Sequence, residues 1–490
     1  MNICDVLYLN EYQSESDVEK LNFKTVTTNP NSIDENALFI LIKSINFDVN
    51  KILSYIVTKK PRAIVCEPDI AFPTTDIPIL RVKSTRSILP FIYSRFHKID
   101  YGKLKFIGVT GTNGKTTTAT ILAHILNNAG HKIGFIGTGK ISLNGKSLSD
   151  TSYSMTTPDP EILYRSIKEM EEENCDYIIM EVSSHALYFD KVLPIAFDLG
   201  IFTNFSSEHL DFHKTLDEYW SSKTKLFKQT KKAILNIDDD RILSFTDEIR
   251  CDFKTAGIKR RAFATAKNPQ SISLKNSKFT YSENGIELDV NLNMGGDYNI
   301  YNALLATAAA IDIGINANVI IKAFESFGGV SGRLDVIESD ITVIIDYAHS
   351  AQAFKTLLKT VNMHKKEGQK LITVFGCGGN RDKIKRPVMA KYAEELSSFS
   401  IVTTDNSRNE SEKKIIEEII SGFESANSFK VVSSRKKAIY EAIKIAQKND
   451  IVLLVGKGAE AYNIDKNGYH SFDEKAIIYE ALKTRTESYK

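Results

Sequence analysis

The run Gly108-Val-Thr-Gly111-Thr112-Asn113-Gly114-Lys115-Thr116-Thr117 narrows the possible folds of this chain more than any other segment. It follows an apolar stretch, Leu104–Val109, that reads as a strand. It precedes a segment whose Ile121, Leu122, Ile125 and Leu126 form a helical stripe closed by Gly130. Strand, glycine turn, Lys-Thr and helix together wrap backbone N–H groups and a helix N-terminus around a phosphate. Gly108 lies one residue too early for the strict Gly-x4-Gly-Lys spacing. The context still points to bound ATP or GTP, with Lys115 reaching the terminal phosphates and Thr116 binding Mg²⁺.

From Leu104 onward, short apolar runs alternate with charged amphipathic segments, the pattern of βα units around a mostly parallel sheet. Before it, Ala37-Leu-Phe-Ile-Leu-Ile, Ala63-Ile-Val-Cys and Ile79-Leu-Arg-Val read as short strands around a helix near Lys51–Lys59. The glycine cluster Phe327-Gly-Gly-Val-Ser-Gly-Arg333 breaks the chain again. Three units are therefore expected: a small α/β domain over 1–98, a central nucleotide-binding domain over 99–332 and a further α/β domain over 333–490.

Charge excludes other classes. With 63 basic and 61 acidic residues the net charge is +2, so neither nucleic-acid nor membrane-surface binding is supported. Apolar runs stay far below the ~20 residues of a membrane helix. Five scattered cysteines form no CxxC pair, and Met1-Asn-Ile-Cys-Asp-Val lacks a secretory pattern. A cytoplasmic enzyme is expected.

Two later strands end in candidate metal ligands. Tyr177-Ile-Ile-Met-Glu181 places a carboxylate just past a buried strand, as Mg²⁺ would require. In Glu208-His209-Leu-Asp211-Phe-His213 the two histidines could hold a metal on one helical face, or form a surface polar cluster. Lys223, in Tyr219-Trp-Ser-Ser-Lys223, reads by itself as a solvated helix lysine.

These segments, with Thr156-Thr157-Pro158, Glu181-Val-Ser183-Ser-His185, Asn236-Ile-Asp-Asp239, Gly296-Asp-Tyr-Asn299, Gly332-Arg333, Asp346-Tyr-Ala-His349, Gly376-Cys-Gly-Gly-Asn-Arg-Asp382, Asp405-Asn406-Ser-Arg408 and Gly456-Lys-Gly458, resemble in order the Mur ligases, which build the peptidoglycan stem peptide. The resemblance implies a UDP-substrate-binding N-terminal domain, a central ATPase domain and a C-terminal Rossmann-like domain for the incoming amino acid. It implies an acyl phosphate made from ATP on a D-glutamyl carboxylate, then attacked by an amine. It also implies that Lys223 is carbamylated and joins Thr116, Glu181 and His209 around Mg²⁺. Lys115, Lys223 and His209 are the expected catalytic residues.

Nucleotide contacts are expected from the loop Gly111–Thr117 and from Asn299, Arg333 and Asp346. Thr156, Thr157, Ser183 and Lys191 would meet the UDP-muramoyl dipeptide. Arg386, Asp405, Asn406, Arg408, Gly456 and Glu460 would form the amino-acid pocket. Arg408 could grip a distal carboxylate as a bidentate fork, which points to meso-diaminopimelate as the third stem residue. The enzyme is expected to be a monomer acting on small molecules. Departures are Thr28-Asn-Pro30 where relatives carry Asp-Ser-Arg, Phe189 at a polar position, Lys191 for arginine and Ser407 for proline. A specialised ligase using L-lysine or a non-UDP acid is the alternative. A guanine-nucleotide switch lacks its Asn-Lys-x-Asp reader.

Overall fold

Strands Ala37–Ile40 and Ala63–Cys66 are buried at every position, as a parallel sheet covered on both faces requires of its middle strands. In the computed structural model, which describes residues 1–8, 10–14, 18–43, 48–148 and 155–488, they centre a four-stranded parallel sheet flanked by Thr25–Thr27 and Ile79–Arg81. The helix expected near Lys51–Lys59 is a 3₁₀ turn, Val49–Ile52, continuing into α-helix Leu53–Thr58. Helix Thr85–Phe96 packs on helix Pro160–Glu172 of the next unit. Leu38, Val65 and Leu80 of the first sheet therefore share one continuous core with Phe106, Leu163 and Met170.

Strand Lys105–Thr110 lies in the middle of an eleven-stranded sheet, between Phe197–Phe202 and Tyr177–Glu181. The strands from Ala264–Ser271 across to Ile133–Gly137 run parallel. Both edges are antiparallel: Ser277–Glu283 and Ile286–Leu292 on one side, Lys140–Leu143 and Lys146–Ser147 on the other. Asn284 (φ 46°) and Gly285 (φ 82°) form the two-residue turn that suits a hairpin of this twist. Strand Ile286–Leu292 alternates buried and exposed positions, as a one-faced edge must. Helix Asp297–Ile313, apolar nearly all round, is buried against helix Lys115–Asn128.

The third sheet has six strands, in the order Asp335–Glu338, Thr342–Asp346, Ile451–Val455, Leu371–Phe375, Phe399–Val402 and Phe429–Val431. Only the first is antiparallel to its neighbour. Leu274, in the turn of a central-domain hairpin, packs into this third unit's core. Among the described residues no helix is long and apolar enough to cross a membrane. The carboxyl ends of the central and third sheets open on one cleft of about 1290 Å³, the place where open parallel sheets bind ligands.

Candidate active site

The cleft floor is the glycine turn after Lys105–Thr110. Gly111 has φ +142°, and a Cβ there would sit 1.9 Å from Thr203 Oγ1. Gly114 has φ +84°, and a Cβ would meet Asn302 Oδ1 at 2.3 Å. Both positions exclude any side chain, so the loop backbone stays open to a phosphate. Helix Lys115–Asn128 starts immediately afterwards. Lys115 Nζ folds back to donate to the carbonyls of Gly111 and Thr112, each at 2.9 Å. Burial lowers its pKa, while Glu208 and Glu181 act against that.

Thr116 Oγ1 donates to Glu181 Oε2 at 2.8 Å and accepts from Arg333 Nη2 at 3.2 Å. Thr138 N donates to Glu181 Oε1 at 3.0 Å. This pairs a hydroxyl and a carboxylate at the mouth of the phosphate loop. Mg²⁺ takes few protein oxygens and completes its shell with phosphate and water, so the donor set fits it. Among the described residues no group of three His, Cys, Asp or Glu side chains could hold a metal unaided.

The histidine pair behaves differently from the shared-face reading. His209 precedes the short helix Leu210–His213 in the left-handed conformation (φ 57°), so the two are not paired along one helix, although both rings lie against His185 and Tyr219. His213 is buried, its Nε2 3.0 Å from Ser184 Oγ. His209 lines the cleft, its pKa lowered to about 3, first by burial. A neutral imidazole there could serve as a ligand or hydrogen-bond group. Its neighbour Glu208, which was not singled out from sequence, is a buried carboxylate facing His349 Nε2 at 3.0 Å. The His349 imidazole 3.0 Å away, together with Lys115, holds its pKa well below the usual carboxylate range despite burial.

Lys223 is no solvated helix lysine. It is 1% exposed in helix Leu216–Thr224. Its Nζ donates to Gly111 O at 2.7 Å, the carbonyl that Lys115 also uses, and stands 4.6 Å from the Tyr219 ring centroid. Burial first, and then Lys115, push its pKa well down.

On one flank Thr156, Thr157, Ser183 and Lys191 line the cleft. Thr157 Oγ1 donates to Glu181 O at 2.8 Å and accepts from Ser183 N at 3.0 Å. Lys191 Nζ pairs with Asp159 at 2.7 Å. Asn299 and Asp346 also line the cleft; Asn299 donates to Gly295 O, and Asp346 accepts from Leu334 N and Ala348 N. Arg333 stacks 4.2 Å from the Tyr347 ring centroid.

Across the cleft, Asp405, Asn406, Arg408, Gly456 and Glu460 come together. Asn406 Nδ2 donates to Glu460 Oε2 at 2.8 Å, and Arg408 Nη1 to Gly379 O at 3.0 Å. Arg386 does not join them. Its fully buried guanidinium is held by Glu410 at 2.8 and 2.9 Å and by Glu418 at 2.6 Å. Arg381, five positions earlier in the same loop–helix segment, lines the cleft beside Arg408. The Gly-Gly-Asn-Arg-Asp run was the signal available for it.

Arg386→Leu is therefore expected to act on stability. Glu418 would lose its cation and Glu410 would keep only Lys383, at 3.2 Å, costing roughly 2–3 kcal/mol, because Glu418 is partly exposed and water screens the remainder. A lowered melting temperature with unchanged substrate KM values would show this. A raised KM at unchanged stability would put Arg386 back in the pocket.

Residues 109–310 match the Mur ligase middle domain, and residues 332–458 match the Mur ligase, glutamate ligase domain. The chain is 35% identical to the UDP-N-acetylmuramoyl-L-alanyl-D-glutamate--2,6-diaminopimelate ligase of Clostridium tetani, over 99% of each chain. The like-named protein of Aquifex aeolicus is 37% identical, over 94% of this chain and 93% of its own. A solved ligase of that name superposes with TM-score 0.66 at 23% identity, covering 99% of each chain. Thermotoga maritima MurF in complex with ADP gives 0.61 at 17% identity, covering 95% of this chain and 99% of its own.

Proposed function

Because the chain belongs to the Mur ligase family and is an ATP-dependent, ADP-forming ligase, we propose that it joins meso-diaminopimelate to the D-glutamyl carboxylate of UDP-N-acetylmuramoyl-L-Ala-D-Glu during peptidoglycan synthesis. The observation that carries the choice of amine is the pair Arg381 and Arg408 facing one cleft with Glu460. Among the described residues neither guanidinium forms an ion pair within 4.0 Å, and the two together suit the distal carboxylate of the amine. Glu460 and Asp405 suit its distal ammonium. The names of the relatives point the same way.

The chain's own residues supply positioning and charge. The substrate carboxylate, held near Thr157, Ser183 and Lys191, attacks the γ-phosphorus of ATP, and ADP departs to leave an acyl phosphate. Repulsion between carboxylate and triphosphate is the obstacle, and Lys115 lowers it from the phosphate side. Thr116 and Glu181 would hold Mg²⁺, with His209 and carbamylated Lys223 around a second ion; bound there, the metal supplies charge neutralisation. The amine then attacks the acyl carbon, and phosphate leaves the tetrahedral intermediate. Arg333 and His349 reach the central domain from the third unit, so a closed arrangement of the two is part of the reading. A cytoplasmic monomer fits a reaction between small soluble substrates.

The test is phosphate release from ATP with the UDP-muramoyl dipeptide and, in parallel, meso-diaminopimelate, L-lysine and L-ornithine. Turnover with diaminopimelate alone is expected. Turnover with lysine would remove the assigned role of the arginines. Silence with every amine would favour the specialised ligase, for which the Thr28-Asn-Pro30 departure speaks.

A further inference from the structure

Arg86 is the second residue of helix Thr85–Phe96, whose N-terminus follows the carboxyl end of strand Ile79–Arg81. Its guanidinium stands 4.3 Å from the centroid of the Phe189 ring, and Nη2 donates to the carbonyl of Lys43 at 2.5 Å. The neighbouring cations are committed: Lys43 to Glu67 and Asp69, Lys191 to Asp159, Lys225 to Asp190. Glu67 and Asp159 act on Arg86 only through space. Among the described residues no carboxylate oxygen pairs with it within 4.0 Å. A partly buried guanidinium held in place by stacking and one carbonyl, and paired with no carboxylate among the described residues, is poised for an anion.

Its position says which anion. Leu41 and Ile42, just before Lys43, line a separate, mainly apolar cavity of about 460 Å³ with Asn31 and Tyr55. Phe189 and Lys191 line the main cleft. Arg86 thus bridges the two, bonded to the segment that walls the first and stacked on a residue that walls the second. We propose that Arg86, fixed on Phe189, binds the diphosphate of the acid substrate. The base lies in the smaller cavity and the peptide carboxylate runs toward Thr157 and the phosphate loop. The inference rests on the UDP-linked substrate of the proposed function and adds the residue that anchors its charge. It also gives Phe189, the departure from a polar residue, a purpose: an aromatic face holds a guanidinium by cation–π attraction.

The experiment measures UDP and uridine binding by calorimetry, and KM for the acid substrate, in wild type, Arg86→Gln and Arg86→Lys. Loss of a charge-assisted contact is expected to weaken UDP binding and raise the acid-substrate KM at least about tenfold. Uridine binding and the KM for ATP should hold, and Arg86→Lys should recover part of the loss. Phe189→Leu keeps the charge but frees it, and should give a smaller loss of the same kind. Equal losses for UDP and uridine, or a lower melting temperature with UDP affinity intact, would make Arg86 a strut between domains and overturn the proposal. A wild type that turns over the UDP donor while Arg86→Gln keeps its KM sinks the Arg86 site alone. A wild type that binds no UDP and uses no UDP donor sinks the site and the substrate reading together.

Discussion

Lys223→Ala is expected to lower turnover by about three orders of magnitude, the loss seen when one preorganised electrostatic group is removed from a transition state. Short carboxylic acids at millimolar concentration should restore part of it. The argument starts from the carbonyl of Gly111, which accepts from Lys223 Nζ at 2.7 Å and from Lys115 Nζ at 2.9 Å. Two ammonium groups on one buried oxygen repel each other strongly. Burial and Lys115 both drive Lys223 toward its neutral form, and a neutral amine is what adds carbon dioxide. A carbamate formed there would be an anion beside Lys115, turning a repulsive pair into an attractive one and offering oxygens to a metal. Because the lysine pKa is lowered, the neutral amine persists to lower pH than for an ordinary lysine. The carbamate, and activity with it, should fall as pH drops through that lowered value. Lys223→Arg, close in size but unable to form a carbamate, should be as inactive as the alanine variant. Substantial activity in Lys223→Arg, or no rescue of alanine by acetate or formate, would sink the carbamate.

What could be seen in the sequence was local. The phosphate loop is contiguous, and its glycines, lysine and threonine carry their geometry in their spacing. Strands Leu371–Phe375 and Ile451–Val455 were legible as short apolar runs between polar clusters. The hairpin around Asn284-Gly285 was equally available, since the dipeptide and the period-two pattern are both present, but the βα rhythm on either side masked it. Arg386 and Arg381 could not be separated by spacing. Which of them is free depends on Glu410 and Glu418, more than twenty residues away in sequence, reaching back to neutralise Arg386. Glu208 depends likewise on His349 from another sheet. The buried state of Lys223 depends on a carbonyl 112 positions earlier. Local chemistry is written in the run, whereas a side chain's state is set by whatever the fold brings against it.

That distinction governs the proposed amine pocket, where the second large effect is expected. Arg408→Ala should reduce kcat/KM for meso-diaminopimelate by about a hundredfold or more, as loss of a bidentate guanidinium–carboxylate contact would. L-lysine, which has no distal carboxylate to lose, should be affected little. Arg408 is held from several sides: its N–H donates to Ile464 O at 3.0 Å, and its Nη1 to Gly379 O and Asn406 O at 3.0 and 3.2 Å. Its backbone is left-handed, φ 51°, a strained choice for arginine that the surrounding hydrogen bonds maintain. Arg381 stands beside it, and burial together with Arg408 lowers the Arg381 pKa. A carboxylate placed between the two would relieve that repulsion, so their contributions should be coupled. Arg381→Ala alone should also weaken diaminopimelate, and the double variant should lose less than the sum of the two single losses. Strict additivity would mean that the arginines do not share one carboxylate. An equal loss for lysine and diaminopimelate in Arg408→Ala would mean that the residue shapes the loop and does not select the amine.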